Sequence, residues 1–133
     1  MVKKLNSLVV LFLIVFVFEC CNKENNCSSG LDGEATIVSF AKHGNQTLIN
    51  YSTHPDTVFV KFASTTYPTD NLWDTVFISE AGEDHIHCEN LSCGKYYFYR
   101  TAWDSLTNQT YYAGRGIDIG ELTGELDLIF EVQ

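Results

Sequence analysis

Basic residues are scarce: eight Lys and Arg stand against seventeen Asp and Glu in 133 positions, a formal net charge of −9. No basic patch offsets the imbalance, so a nucleic-acid partner is excluded and an anionic lipid surface is repelled. The remaining role of such acidity is to keep an exposed protein soluble. Long apolar runs are missing too. The longest, residues 8–18, falls well short of the roughly twenty apolar residues that cross a bilayer. There is no Gly-rich phosphate loop, zinc-protease motif, nucleophile elbow or paired-carboxylate arrangement. The expectation is a protein that is not an enzyme and carries no cofactor.

What the sequence does contain begins at its start. Lys3 and Lys4 precede the apolar run, and Glu19, Cys20 and Cys21 follow it. This order reads as a secretory signal. Its end resembles a bacterial lipoprotein signal, in which the cysteine after the cut becomes the lipid-bearing first residue. The string "CNKEN" from Cys21 resembles the mature start of lipoproteins of the Bacteroidetes phylum, where lysine and acids after that cysteine direct surface export. The resemblance implies a signal peptide over residues 1–20 and lipidation of Cys21, with Cys20 as the alternative. It further implies an acyl anchor such as palmitate, at the outer membrane or cell surface. Removing residues 1–20 leaves six basic and sixteen acidic residues, a formal charge of −10.

Residues 21–33, "CNKENNCSSGLDG", are polar and lack apolar periodicity, as in a flexible tether. Cys27 within it is expected either free or paired with another chain. Residues 34–133 suit one small domain with a single core. Helical periodicity is absent there, and short runs rich in Val, Ile, Phe, Tyr and Thr recur between turn residues. They are "EATIVSFAKH", "DTVFVKFAS", "DTVFIS", "HIHCE", "KYYFYRTAWD", "YYAGRGIDI" and "LDLIFEVQ", with a short extended "TLINY" after the first. In the last, Leu126, Leu128, Phe130 and Val132 form one apolar face. About seven strands in about 100 residues predict an all-β Greek-key sandwich or small barrel, because each strand must bury one face against a second layer.

"HIHCENLSCGKYYFYRTAWD" resembles the signature hairpin of prealbumin-like domains, found also as carboxypeptidase regulatory-like modules. Cys88, Leu91, Gly94 and Tyr96 occupy its apolar, turn-glycine and tyrosine places. "YYFYRTAWD" and "GRGIDI" further resemble small Bacteroidetes lipoproteins of this type. The resemblance covers residues 34–133 and implies a prealbumin-like fold used as a scaffold for stalks, carriers and adhesion modules. Arg100 departs from it, standing where a small inward residue is expected, and marks a bulge or the end of core packing. The transthyretin-like hydrolase of 5-hydroxyisourate needs a C-terminal Tyr-Arg-Gly-Ser. This chain ends "LIFEVQ", and that activity does not carry over.

Four sets of residues are candidate sites. His85 and His87, two apart on a strand, project together, and two imidazoles so placed suit a zinc or copper ion, although no spacing supplies a third ligand. Cys88 and Cys93 flank the turn "ENLS" and form either a disulfide or two separate buried thiols. Alternation turns Tyr96 and Phe98 inward and Tyr97 and Tyr99 outward. With Trp73, Trp103, Tyr111 and Tyr112, Tyr97 and Tyr99 are candidates for a ligand face that takes a glycan, peptide or protein partner. Asp-Thr-Val at 56–58 and 74–76 and Asp-Ser-Leu at 104–106 resemble the Bacteroidetes O-glycosylation motif, with Thr57, Thr75 and Ser105 as acceptors; the competing reading is that these residues merely start strands. The leading expectation is a lipid-anchored envelope protein that binds or presents a ligand or partner. The alternatives are an assembly subunit of a cell-surface complex and a metal-binding accessory protein using His85 and His87.

Overall fold

Strands form where the β-branched and aromatic runs fall. The computed structural model describes residues 27–121 and 123–133, and among them there is no helix. The strands are β1 (Ala35–His43), β2 (Gln46–Thr47), β3 (Thr57–Phe62), β4 (Thr75–Ile78), β5 (His85–Leu91), β6 (Gly94–Asp104), β7 (Gln109–Ile119) and β8 (Gly124–Glu131). Each of the seven expected runs supplies one. The eighth is the two-residue β2, which pairs with the end of β1.

Two sheets result. In the first, β1 is central, with β5 and β2 antiparallel along one edge and β8 parallel along the other. The second is antiparallel throughout, in the order β4-β3-β6-β7. Their inner faces share one core. Ala35, Ile37 and Ala41 of β1, Val58 and Val60 of β3, and Tyr96, Phe98 and Ala102 of β6 are all buried in it with Leu128 and Phe130 of β8. Tyr96 and Phe98 therefore face inward as the alternation predicts. The apolar face of β8 is shorter than expected, because Leu126 remains 46% exposed. Cys88 and Leu91 both reach the core although they are three residues apart. An extra residue in β5 makes this possible: Ala35 pairs with Leu91 and Ile37 with Cys88, and Asn90 adopts a φ of 61°. One side of the layered pair is laced shut by mutual backbone bonds between Tyr112 and Gln133. The opposite side, between β4 and β5, leaves a groove.

Arg100 corrects a sequence expectation. It marks neither a bulge nor the end of the core: it lies in regular register opposite Val58 and Ala113, and it is fully buried. Its guanidinium is inward because polar partners from both sheets meet it there. Nη1 donates to the Ser39 carbonyl at 3.1 Å and to Ser39 Oγ at 3.2 Å. Nη2 donates to Asp56 Oδ2 at 3.3 Å and to Asn50 Oδ1 at 3.5 Å, while Nε has no partner among the described residues. Asp56 Oδ1 accepts the Trp103 amide at 2.8 Å, and Asn50 Nδ2 donates to the His85 carbonyl at 3.0 Å. Burial pushes Arg100 down to about 10, which leaves it a cation at neutral pH, and pushes Asp56 up against the opposing pull of the Trp103 amide and Arg100.

The start of the described chain brings a second correction. Cys93 does not pair with Cys88; it is bridged to Cys27, with Cα atoms 5.0 Å apart. Cys88 is a free, buried thiol on the inner face of β5, whereas Cys93 sits in the turn beyond it, so their side chains diverge. Nor do residues 27–33 hang free as a tether. The Tyr96 hydroxyl accepts the Gly30 amide at 2.9 Å and donates to the Ser92 carbonyl at 2.7 Å. Ser29 Oγ accepts the Ala63 amide at 2.7 Å, and the Gly33 amide donates to the Asn90 carbonyl at 2.9 Å. Gly94 is the turn glycine the sequence predicts, for two reasons. Its φ is 144°, and any Cβ there would run into the Ser29 backbone.

Three measurements check these features. Asp56→Leu leaves a buried cation unpaired and is expected to lower unfolding free energy in urea by about 3–5 kcal/mol, with much of it regained in Asp56→Leu/Arg100→Met. Burial raises the Cys88 thiol to about 12. Iodoacetamide is therefore expected to label Cys88 only after unfolding, and non-reducing peptide mapping to join the peptides of Cys27 and Cys93.

Candidate functional site

The outer face of the second sheet is where the aromatic residues meet. Since Val58 and Val60 face the core, Phe59 must face out, and Tyr97 and Tyr99 do the same on β6. Trp73, just before β4, lies nearly parallel to both tyrosines, at 21° to Tyr97 and 22° to Tyr99 with centroids 6.5 and 5.7 Å away. Tyr67 stands edge-on to Trp73, Tyr97 and Tyr99 at 5.5–6.0 Å. Phe59 packs against Trp73 and Tyr99, and Tyr112 on β7 extends the row from Tyr99 at 5.9 Å. Burial first, and then the neighbouring Tyr67, pushes the phenols of Tyr97 and Tyr99 up, so both remain neutral hydrogen-bonding groups.

The segment 63–74 folds over this face and is held by its own polar side chains. Asn71 Oδ1 accepts the Tyr67 hydroxyl at 3.0 Å, and Asp74 Oδ2 accepts the Phe62 amide at 2.6 Å. Glycines of β7 provide the room. A Cβ on Gly114 would overlap the Tyr97 hydroxyl, and one on Gly116 would overlap the Thr65 carbonyl. The result is an aromatic layer that is half-buried at Trp73, Tyr97 and Tyr99 and open at Tyr67 and Tyr112, which are 46% and 56% exposed. Beside it, Thr57 of β3 pairs with Thr101 of β6, and both side chains share the outer face.

Trp103 is separated from this group. It shares the outer face of β6 but lies two pleats beyond Tyr99, where His54 stacks on it at 3.9 Å and 8°. Tyr111 is also excluded. Its register opposite Ala102 turns it to the inner face, where it packs at the edge of the core and against His43 at 4.1 Å. Phe59 and Tyr67 are the members that sequence reasoning missed. Alternation in β3 is a sufficient signal for Phe59, whereas nothing in the local sequence marks Tyr67, which arrives through a loop.

The three acid-Ser/Thr-apolar motifs use their acids structurally. Asp56 holds Trp103 and Arg100, and Asp74 holds the Phe62 amide and lies 3.6 Å from Lys61. Asp104 lies 3.0 Å from His43 Nδ1 and accepts the Leu106 amide at 2.8 Å. The His43 bond, with the turn amides, holds the Asp104 carboxyl below the usual range. Thr57 and Thr75 are half-buried, Thr75 on the inward phase opposite Val60, while Ser105 is exposed and 3.1 Å from the Tyr51 hydroxyl.

His85 and His87 do converge, as the strand period predicts, with Nε2 atoms 3.0 Å apart. They line the groove between β4 and β5 with Ile78, Glu80, Glu83, Ile86 and Glu89, a cavity of about 250 Å³. Among the described residues, no group of three or more His, Cys, Asp or Glu side chains is gathered to hold a metal ion. Cys20, Cys21 and the apolar run before them lie outside the described residues.

No family model matches the chain, and no curated protein or solved structure is significantly similar to it.

The glycines of β7 allow a graded test. Gly116→Ala sets a methyl against backbone, and is expected to cost about 1–3 kcal/mol and to lift the 63–74 segment. In a Trp103→Phe background, Trp73 fluorescence should then shift to longer wavelength. Gly114→Ala meets only the movable end of Tyr97 and should shift it little.

Proposed function

We propose that this chain is a non-enzymatic, lipid-anchored envelope protein whose Greek-key, prealbumin-like domain binds a carbohydrate on the outer face of its second sheet. The observation that carries the ligand reading is the aromatic layer. Tyr67 and Tyr112 are open to solvent around near-parallel Trp73, Tyr97 and Tyr99 rings, beside the hydroxyl of Thr57. Aromatic faces accept the apolar C–H side of a sugar ring, and phenol and threonine hydroxyls satisfy its polar rim. A peptide is the competing ligand for the same face.

The anchor reading is supported by the apolar run before Cys21 and by the "CNKEN" start. The bridge at Cys27 gives it a geometric consequence. Five residues separate Cys21 from Cys27, and the six steps between them reach about 20 Å when fully extended. Cys27 is tied to the turn between β5 and β6, so that end of the domain faces the bilayer. The far end, with His54, Trp103 and Ser105, points outward, and Ser105 is the best placed of the three acceptors for O-glycosylation.

A second reading, an assembly subunit, is favoured by β4. Among the described residues this edge strand pairs only with β3, and its Ile78 is 64% exposed beside exposed Val76 and Leu72. Concentration-dependent association in sedimentation would support it.

For the leading reading, arrays of glycans and peptides are the test. The wild-type chain is expected to retain a subset of saccharides, and Tyr112→Ala or Tyr67→Ala to weaken that binding about tenfold, equivalent to roughly 1.4 kcal/mol. A flat response across the saccharides overturns it, and retention of peptides alone replaces sugar with peptide.

A further inference from the structure

The groove between β4 and β5 is separate from the aromatic face, and the carbohydrate reading uses none of its residues. It holds two imidazoles whose arrangement goes beyond sharing one side of a strand. The Nε2 atoms of His85 and His87 are 3.0 Å apart, and the ring planes cross at 82°. Asp84 Oδ1 lies 2.8 Å from His85 Nδ1. A carboxylate only accepts, so the proton of His85 resides on Nδ1, and Nε2 presents a lone pair toward His87. A carboxylate behind an imidazole in this way orients the ring and raises its basicity as a ligand.

The spacing fits a metal ion. Nitrogen ligands about 2.0–2.1 Å from zinc or copper, in adjacent coordination positions, are roughly 2.9–3.4 Å from one another. Glu83 Oε2 lies 3.8 Å from His85 Nε2 and places a negative charge beside the pair. Glu80 and Glu89 add negative charge to the same cavity, and His87 is exposed, so an ion with its waters has access. Two imidazoles suit ions of borderline softness, zinc and copper, over calcium or magnesium.

We propose that His85 and His87 bind one divalent zinc or copper ion through their Nε2 atoms, with water completing the shell, Asp84 positioning His85 and Glu83 adding negative charge beside the ion.

The test uses the full chain in detergent, stripped with chelator and titrated separately with zinc and copper sulfate in a calorimeter. One ion per chain is expected to bind saturably. His85→Gln and His87→Gln should each weaken binding at least tenfold, and Glu83→Gln several-fold, with the thermal midpoint of the metal-free chain unchanged for the exposed His87→Gln. Copper paramagnetic resonance should count two coordinated nitrogens in the wild type and one in His87→Gln. Asp84→Asn should weaken binding about tenfold and shift the His85 proton from Nδ1 to Nε2 in ¹⁵N spectra, which a merely structural role would not do. Absence of saturable binding of either ion overturns the proposal. So does binding that persists unchanged in both histidine variants, because the ion then sits elsewhere.

Discussion

A single buried cation organises this fold. Arg100 lies within the core of a two-layered structure, where an uncompensated charge is too costly to persist. Its compensation comes from four places in the chain: Ser39 in the first sheet, Asn50 in the connection after β2, Asp56 at the entry to β3, and, through Asp56, the Trp103 backbone. The contacts that neutralise the charge also join the two sheets. Asn50 then continues the network to the His85 carbonyl and, through its own amide, to the Glu83 carbonyl at 2.7 Å. The segment that carries the candidate metal ligands is thereby held to the same buried network.

The opposite end of the domain is held differently. There the Tyr96 hydroxyl, buried but hydrogen-bonded, receives Gly30 and reaches Ser92, while Cys27 is bridged to Cys93. A chain-entropy account of a 66-residue separation gives about 4 kcal/mol of stabilisation. The bridge also makes the last residues of the expected tether part of the domain. If Cys21 carries lipid, the distance from membrane to domain is set by very few residues.

β6 connects these features, because its two faces do different work. Its even-numbered residues, Tyr96, Phe98, Arg100, Ala102 and Asp104, are all buried. Its odd-numbered residues Tyr97 and Tyr99 form the floor of the aromatic layer, which stays partly open because Gly114 and Gly116 leave space on β7 for Tyr97 and the 63–74 segment. An eleven-residue strand thus supplies the core, the buried charge and the candidate ligand face at once.

Much of this is legible in the amino-acid sequence. All seven expected runs are strands, and alternation places Tyr96 and Phe98 inward, Tyr97 and Tyr99 outward, and His85 beside His87, because a strand's period of two is a local property. The partners are not legible. Cys93 takes Cys27 in place of Cys88, Arg100 finds Asp56 and Ser39, Tyr67 joins Tyr99, and Trp103 and Tyr111 go to other neighbours. Strand positions and the direction in which most side chains face follow from the order of residues alone, since covalent geometry and hydrophobic alternation act over neighbouring positions. Which side chains meet across loops and sheets follows only from the folded chain, because those pairings depend on register, on the extra residue in β5 and on the space left by two glycines.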